Sequence, residues 1–440
     1  MSALLPNEFS PAVQANVPEA VPRPLNKKKK PRERRWELDA LRGLMLIMML
    51  STHLPTRFAD PFGQPFGFVS AAEGFVVLSA YMAGMIYTQR AMRDGLAAMR
   101  DAFLKRAVVI YGCQAACLLF LFSVIAYLGE VLKQHDISVL MWYYLFEPVT
   151  AFWASLLLIY NPPLLDILPL YIIFMLLSPF ILSIGLKYGW RVILSISGGL
   201  WLGAQFGLSR AVYDATVALT GLPVPFSETG AFDTFAWQFL WIFGLWIGAR
   251  HARIPKETRG DLPRWLAVGA AIVFVVFIVW RHSTGHVPFE GENAWNMLFD
   301  KWRLGPLRLL DFFAMVTLLI YFEAWLKRNV PRPRWLETMG AASLPVFCAH
   351  LVIVLVVLGV FGHSTPERPM WLDIALFVGS VVALYWVARA VLAAEAAAAG
   401  RTASATGPVA GISAIAADKA AVSPEGDAGR CSEMTRRHNA

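Results

Sequence analysis

The sequence predicts an all-α polytopic membrane protein of about ten transmembrane helices, with the N- and C-termini cytoplasmic. Hydrophobic residues make up 57% of the 440 positions and charged residues 16%, a balance typical of chains that are embedded in a bilayer. The apolar segments are long and continuous, whereas strands of an outer-membrane barrel would alternate apolar and polar residues. The net charge of +8 lies mostly in loops and tails. This distribution predicts the orientation of the helices in the membrane and contact with anionic lipid, and not nucleic-acid binding.

Composition divides the chain into three segments. Residues 1–35 are polar and end in KKKKPRERR, which predicts a disordered basic cytoplasmic tail. Residues 36–394 form the membrane domain. Residues 395–440 are Ala-rich and of low complexity, which predicts a second disordered cytoplasmic tail.

Ten apolar segments are predicted to be helices. Their approximate bounds are 38–56, 66–88, 104–129, 166–186, 190–208, 234–250, 264–280, 306–326, 341–362 and 371–394.

Loop charge sets the orientation of these helices. The predicted loops after the second, sixth and eighth helices are short and basic, so the positive-inside rule places them in the cytoplasm. The predicted loop 209–233 is nearly neutral and is expected to face outward. The segment 138–161 is interrupted by Glu147-Pro148, which predicts an interfacial or re-entrant element, because proline breaks a helix interior. Counting it as a span would put the basic loops outside.

The first helix carries two side chains that are costly in a membrane unless they line a cavity. Arg42 and His53 are eleven positions apart, so a helix places them on one face within roughly 20° and about 16.5 Å apart along its axis. Arg42, near the cytoplasmic end, is a candidate anion contact. His53, in the outer half, is a candidate general base. The structural alternative pairs Arg42 with Asp39 one turn away and makes His53 a cap of the helix end.

Three further helices add candidates. Glu73 in the second helix lies at a level similar to that of His53 and is expected to orient its imidazole; the alternative is an interfacial carboxylate. Ser79, six positions further, points to the opposite side of that helix. Arg106, at the start of the third helix, is a second candidate anion contact or a snorkelling arginine. His350, in mid-membrane, is a candidate site residue or a buried histidine that is bonded to a neighbour.

Taken together, these residues resemble the membrane-bound acyltransferase-3 superfamily. The matching elements are Arg, ten residues and His at Arg42 and His53; an FxxLSG-like element at Phe75, Leu78 and Ser79; a basic helix start at Lys105 and Arg106; and Ser-x-x-x-Phe-x-x-His at Ser343, Phe347 and His350. Ala80 stands where that superfamily usually has Gly. The sequence more closely resembles the OpgC family, on the segments ELDALRGL, DPFGQPFGFVSAAEGFVVLS, DILPLYIIFMLLSP and KWRLGPLRLLDFFAM, which lie in order within residues 34–392.

That resemblance implies a bacterial inner-membrane enzyme that moves succinyl groups from cytoplasmic succinyl-CoA to hydroxyls of osmoregulated periplasmic glucans. Succinyl-CoA would be the acyl donor, and no permanently bound cofactor is expected. Arg42 and Arg106 would contact the donor, and His53 would act as general base with Glu73 beside it. The implied partners are the glucan, the lipid bilayer and the glucan synthesis machinery.

Two alternatives remain open at the level of sequence. The same chemistry with an acetyl group would give an O-acetyltransferase of another envelope glycan. A transporter of an anionic metabolite could use Arg42 as counter-charge, although no inverted repeat supports that function. No metal site is expected, because His282 and His286 lack an HExxH context.

Overall fold

The computed structural model describes residues 35–254, 262–291 and 293–405. The regular secondary structure of these residues is helical, and they contain no strand. The predicted tail 1–35 therefore lies almost wholly outside the described residues. In the first half of the chain the helices are α1 (Trp36–His53), α2 (Ala59–Gly63), α3 (Ala71–Phe120), α4 (Ala126–Leu132), α5 (His135–Leu140), α6 (Trp142–Phe146), α7 (Pro148–Leu156), α8 (Ile167–Tyr188), α9 (Arg191–Gln205) and α10 (Leu208–Thr220). In the second half they are α11 (Thr234–Arg253), α12 (Arg264–Thr284), α13 (Pro306–Tyr321), α14 (Glu323–Asn329), α15 (Arg334–Ala341), α16 (Ser343–Phe361) and α17 (Met370–Ala405).

The second and third predicted helices are the two halves of α3, which meet at Gly95. Gly95 has φ 88° and ψ 168°, a backbone conformation that residues other than glycine rarely adopt. The loop predicted after the second helix is therefore wrong, because helix continues on both sides of Gly95. Alanine, methionine and arginine in this segment are good helix formers. Its positive charge therefore predicts the side of the membrane on which the segment lies, and not a loop conformation.

Two other predicted loops or tails also contain helix. Residues 208–220 form α10, which follows α9 at an angle of 82°, whereas the sequence predicted a loop from 209. Gly207 and Gly221 flank α10 with positive φ, so the glycines mark its ends and do not indicate a loop throughout. Helix α17 continues past the predicted end at 394 to Ala405, because alanine favours helix. Residues 406–440 lie outside the described part of the chain.

The predicted interruption at Glu147-Pro148 is confirmed. Helix α6 ends at Phe146, and α7 begins at Pro148, where proline is tolerated because the first-turn amide has no helical partner.

Several helices are apolar enough to identify a membrane protein. By length and composition, five helices in the described residues could cross a bilayer, or up to seven if each of two bent pairs is one span. Each of the predicted helices has a counterpart among the long helices or the halves of α3. The count of ten spans and the cytoplasmic termini stay predictions.

Close backbone contacts hold the helices that carry the candidate residues. A Cβ atom on Gly248 of α11 would lie 2.1 Å from the carbonyl oxygen of Tyr81 in α3. A Cβ atom on Gly43 of α1 would lie 2.1 Å from the carbonyl oxygen of Leu336 in α15. Glycine is therefore required at both crossings, as in membrane helices whose backbones touch. The contact at Gly43 fixes α1, which carries Arg42 and His53, against α15.

Candidate functional site

An inner cavity brings together three residues that the sequence singled out. Its volume is about 210 Å³, and Arg42, Ser79 and Arg106 line it together with Tyr171 and Phe347. Ser79 belongs to the first half of α3 and Arg106 to the second, so the turn at Gly95 places both on one cavity. Two guanidinium groups beside a largely apolar wall form a site that suits a molecule with an anionic end and an apolar stem.

A second, outer cavity contains the candidate base. It has a volume of about 500 Å³, and its polar lining includes His53, Ser70, Asp166, Glu228 and Lys301. These side chains come from the end of α1, the start of α3 and three separate loops. The concentration of ionisable groups makes this the more polar of the two cavities and the one suited to a hydroxylated ligand.

Two side chains line both cavities. Phe347 of α16 and Ile167 of α8 face the inner cavity and the outer one. The cavities are therefore neighbours on opposite sides of these two side chains. Arg42 lines the inner cavity and His53 the outer one, so the helix face predicted from their spacing runs along both.

The two candidate histidines are in direct contact. Nδ1 of His53 lies 3.2 Å from Nε2 of His350, and the rings are stacked with centroids 5.5 Å apart. Nδ1 of His350 lies 2.6 Å from the carbonyl oxygen of Phe347. A carbonyl only accepts, so this nitrogen must carry the proton, and Nε2 of neutral His350 must accept.

This hydrogen-bond chain assigns the tautomer of His53. Because Nε2 of His350 accepts, Nδ1 of neutral His53 is the donor, which leaves a lone pair on Nε2 of His53. Among the described residues, no hydrogen-bond partner occupies that nitrogen. A half-buried imidazole on a cavity wall with a free lone pair can accept a proton from a bound hydroxyl.

Glu73 is paired with an arginine and not with His53, which corrects the expected contact. Its carboxylate forms an ion pair with Arg308, and both side chains are almost completely buried. The same carboxylate accepts hydrogen bonds from the amide of Ser70 at 3.0 Å and from its hydroxyl at 2.5 Å. Glu73 and Ser70 thus form a capping box at the start of α3, which satisfies amides that the helix leaves unpaired.

A second buried carboxylate secures the loop before α3. Asp311 of α13 accepts a hydrogen bond of 2.8 Å from the amide of Phe68. Gly67 has φ +85°, and a Cβ atom there would lie 2.4 Å from the Asp311 carboxylate. This loop places Ser70 on the wall of the outer cavity. Arg308 and Asp311 do not line that cavity, but they hold the loop and the start of α3 in position.

Asp39 does not line either cavity. It is buried at the first turn of α1, where a carboxylate is stabilised by the positive end of the helix dipole. The structure therefore places Asp39 at the packed start of the helix that carries Arg42, away from the cavity walls.

Sequence reasoning missed Lys301, Arg308 and Asp166 as polar groups of this region. All three lie in segments that carried the family resemblance, KWRLGPLRLLDFFAM and DILPLYIIFMLLSP, which is the signal that pointed to them. Burial raises the pKa of Asp166 to about 6 and lowers the pKa of Lys301. Within the described residues, no group of three or more His, Cys, Asp or Glu side chains could hold a metal ion.

Comparison with known proteins identifies the family of the chain. A family model described as OpgC protein matches residues 34–395, which includes both cavities. No curated protein and no solved structure matches the chain. The family model covers most of the sequence, and the chain therefore belongs to the OpgC family.

Proposed function

We propose that the protein is a membrane-bound O-acyltransferase that transfers succinyl groups from succinyl-CoA to hydroxyls of osmoregulated periplasmic glucans. Membership in the OpgC family supports a transferase, and the two adjoining cavities supply a place for each substrate. The resemblance of segments in α1, α3 and α16 to the acyltransferase-3 superfamily supports the same class of reaction. The proposed location is the bacterial inner membrane, with the basic loops facing the cytoplasm.

The donor would occupy the inner cavity. Arg42 and Arg106 would bind its phosphates, because guanidinium groups form charge-assisted bonds with phosphate oxygens. The apolar remainder of that cavity suits the pantetheine arm. To bring the thioester to His53, the arm must pass Phe347 and Ile167, which line both cavities, so these side chains must move when the donor binds.

The acceptor would occupy the outer cavity, where His53 faces it. Nε2 of His53 takes the proton of a glucan hydroxyl as its oxygen attacks the thioester carbonyl. The carbon–sulfur bond then breaks, and the protonated His53 returns the proton to the leaving thiolate of CoA. The products are a succinyl ester of the glucan and free CoA, and His53 is neutral again. Packed apolar walls would keep water from the thioester.

The single observation that carries this proposal is the free lone pair on Nε2 of His53 in the outer cavity, which is fixed by the bond from Nδ1 to His350. The carboxylate of Glu73 is bonded to Arg308 and Ser70, which supports another residue as the orienting partner. We therefore assign His350 as the positioning residue in its place.

Charge analysis of extracted glucans tests the proposal. A strain that lacks this protein should make glucans without succinyl groups, and the wild-type gene should restore the negative charge. His53→Ala should fail to restore it at a normal protein level. His363→Ala is the matched control, because His363 is exposed and pairs with Asp136. Restoration of succinylated glucans by His53→Ala would refute His53 as the base.

A further inference from the structure

Lys301 is a cation on the wall of the outer cavity that forms no ion pair within the part of the chain that the structure describes. It lies in the loop between Phe299 and α13 and lines that cavity together with His53. Among the described residues, no carboxylate lies within ion-pair distance of its ammonium group. Its Nζ atom lies 4.6 Å from the centroid of the neighbouring Trp302 ring. An ammonium group that is partly removed from water gains from an incoming anion.

The carboxylates of the same cavity are already engaged elsewhere. Asp166 accepts a hydrogen bond of 3.1 Å from the amide of Ala231. Glu228 accepts one of 2.9 Å from the indole of Trp142. An anion that binds Lys301 therefore does not have to break an existing ion pair within the described residues. Burial, which lowers the pKa of Lys301, strengthens the attraction between its charged form and an anion at short range.

Other cations near the outer end of α1 are not available for this purpose. Arg57 forms an ion pair of 2.9 Å with Asp373 and donates to the carbonyl oxygen of Arg368. Arg308 is held by Glu73. Lys301 is thus the cation that shares a cavity with His53 and forms no ion pair among the described residues; Glu73 and Asp166 act on it only at longer range.

We propose that Lys301 binds the free carboxylate of the succinyl group while its thioester carbon lies at His53, and so selects a dicarboxylic acyl donor over a neutral one. This inference rests on the proposed function. It assigns the choice of acyl group to one side chain: a donor that ends in a methyl group would leave the ammonium without a partner, and leaving a buried charge unpaired is costly.

The test compares two donors that have the same four-carbon acyl chain. Succinyl-CoA ends in a carboxylate and butyryl-CoA in a methyl group. With glucan as acceptor, the wild-type protein in vesicles should show a kcat/KM for succinyl-CoA about ten- to a hundredfold above that for butyryl-CoA, the range expected for one charge-assisted contact. Lys301→Met should reduce this ratio to near unity by lowering the succinyl rate, and Lys301→Arg should keep part of it.

Lys133→Met serves as the matched control, because Lys133 is exposed and its partner Glu130 is exposed too; its donor ratio should equal that of wild type. Equal loss of both donors in Lys301→Met would overturn the selective role, and so would an unchanged ratio. A wild-type protein that accepts both donors equally would also overturn it, while the acyltransferase proposal would stand. Absence of transfer from either donor would refute the proposed function itself, and the role of Lys301 with it.

Discussion

His53 and His350 are 297 positions apart in the sequence, yet Nδ1 of the first lies 3.2 Å from Nε2 of the second. The contact joins the end of α1 to the middle of α16. It holds the imidazole of His53 at the wall of the outer cavity in the tautomer whose free nitrogen is basic. The ninth predicted helix therefore supports the candidate base of the first.

Substitution of His350 tests this positioning. His350→Gln keeps an acceptor near the place of Nε2 and should retain activity within about tenfold of wild type, whereas His350→Leu removes it and should lose roughly a hundredfold, because both a hydrogen bond and the tautomer are lost. The measurement is the rate of CoA release with glucan present, at matched protein levels. Equal activity of His350→Leu and wild type would show that the contact does not serve the reaction.

The pair of Glu73 and Arg308 predicts a loss of stability. Glu73→Leu leaves a buried arginine without its carboxylate and should destabilise the protein by about 3–5 kcal/mol, measured by thermal unfolding of purified protein. The double variant Glu73→Leu with Arg308→Leu should recover much of this loss, because it removes both charges. If Glu73→Leu instead unfolds like wild type and only the turnover rate falls, the structural role assigned to Glu73 is wrong.

The inner cavity predicts that two neighbouring basic residues differ in their effect on donor affinity. Arg106 lines the cavity and Lys105 does not, so Arg106→Gln should raise the KM for succinyl-CoA about ten- to a hundredfold, the value of a charge-assisted bond. Lys105→Gln removes the same charge one residue away and should leave the KM unchanged.

Arg42→Lys gives the companion measurement. Lysine keeps the charge but not the planar fork of donors, so the KM for succinyl-CoA should rise by about tenfold if Arg42 clamps a phosphate. Wild-type KM values in Arg42→Lys and Arg106→Gln together would move the donor out of the inner cavity.

The helix face of Arg42 and His53 was predictable because helical geometry is local, and eleven residues suffice to fix it. The break at Glu147-Pro148 was predictable for the same reason. The partner of Glu73 was not, because Arg308 lies 235 positions away and tertiary packing brings the two together. Lys301 and Asp166 lie next to helix starts or in a loop, where residue periodicity carries no signal. Helix α10 was missed because the flanking glycines suggested a loop.

Reporter fusions test the orientation on which the proposed reaction depends. Fusions after Gly95 and Val330 should report the cytoplasm, and fusions after Gly221 and Gly285 the periplasm, because the basic segments should stay inside. A periplasmic signal at Val330 together with a cytoplasmic one at Gly95 would mean that the number of spans between them is odd, and that the segment 138–161 crosses the bilayer.

Acyl transfer across the bilayer can be measured in vesicles that keep the two substrates on separate faces. Purified protein is given succinyl-CoA at the face that bears the basic loops and glucan at the opposite face. Free CoA should be released and the glucan succinylated only when both substrates are present, and neither product should form with His53→Ala. Passage of succinate or glucan through the vesicle wall without thiol release would refute acyl transfer and favour a transporter. Thiol release that requires both substrates at one face would refute the transbilayer arrangement.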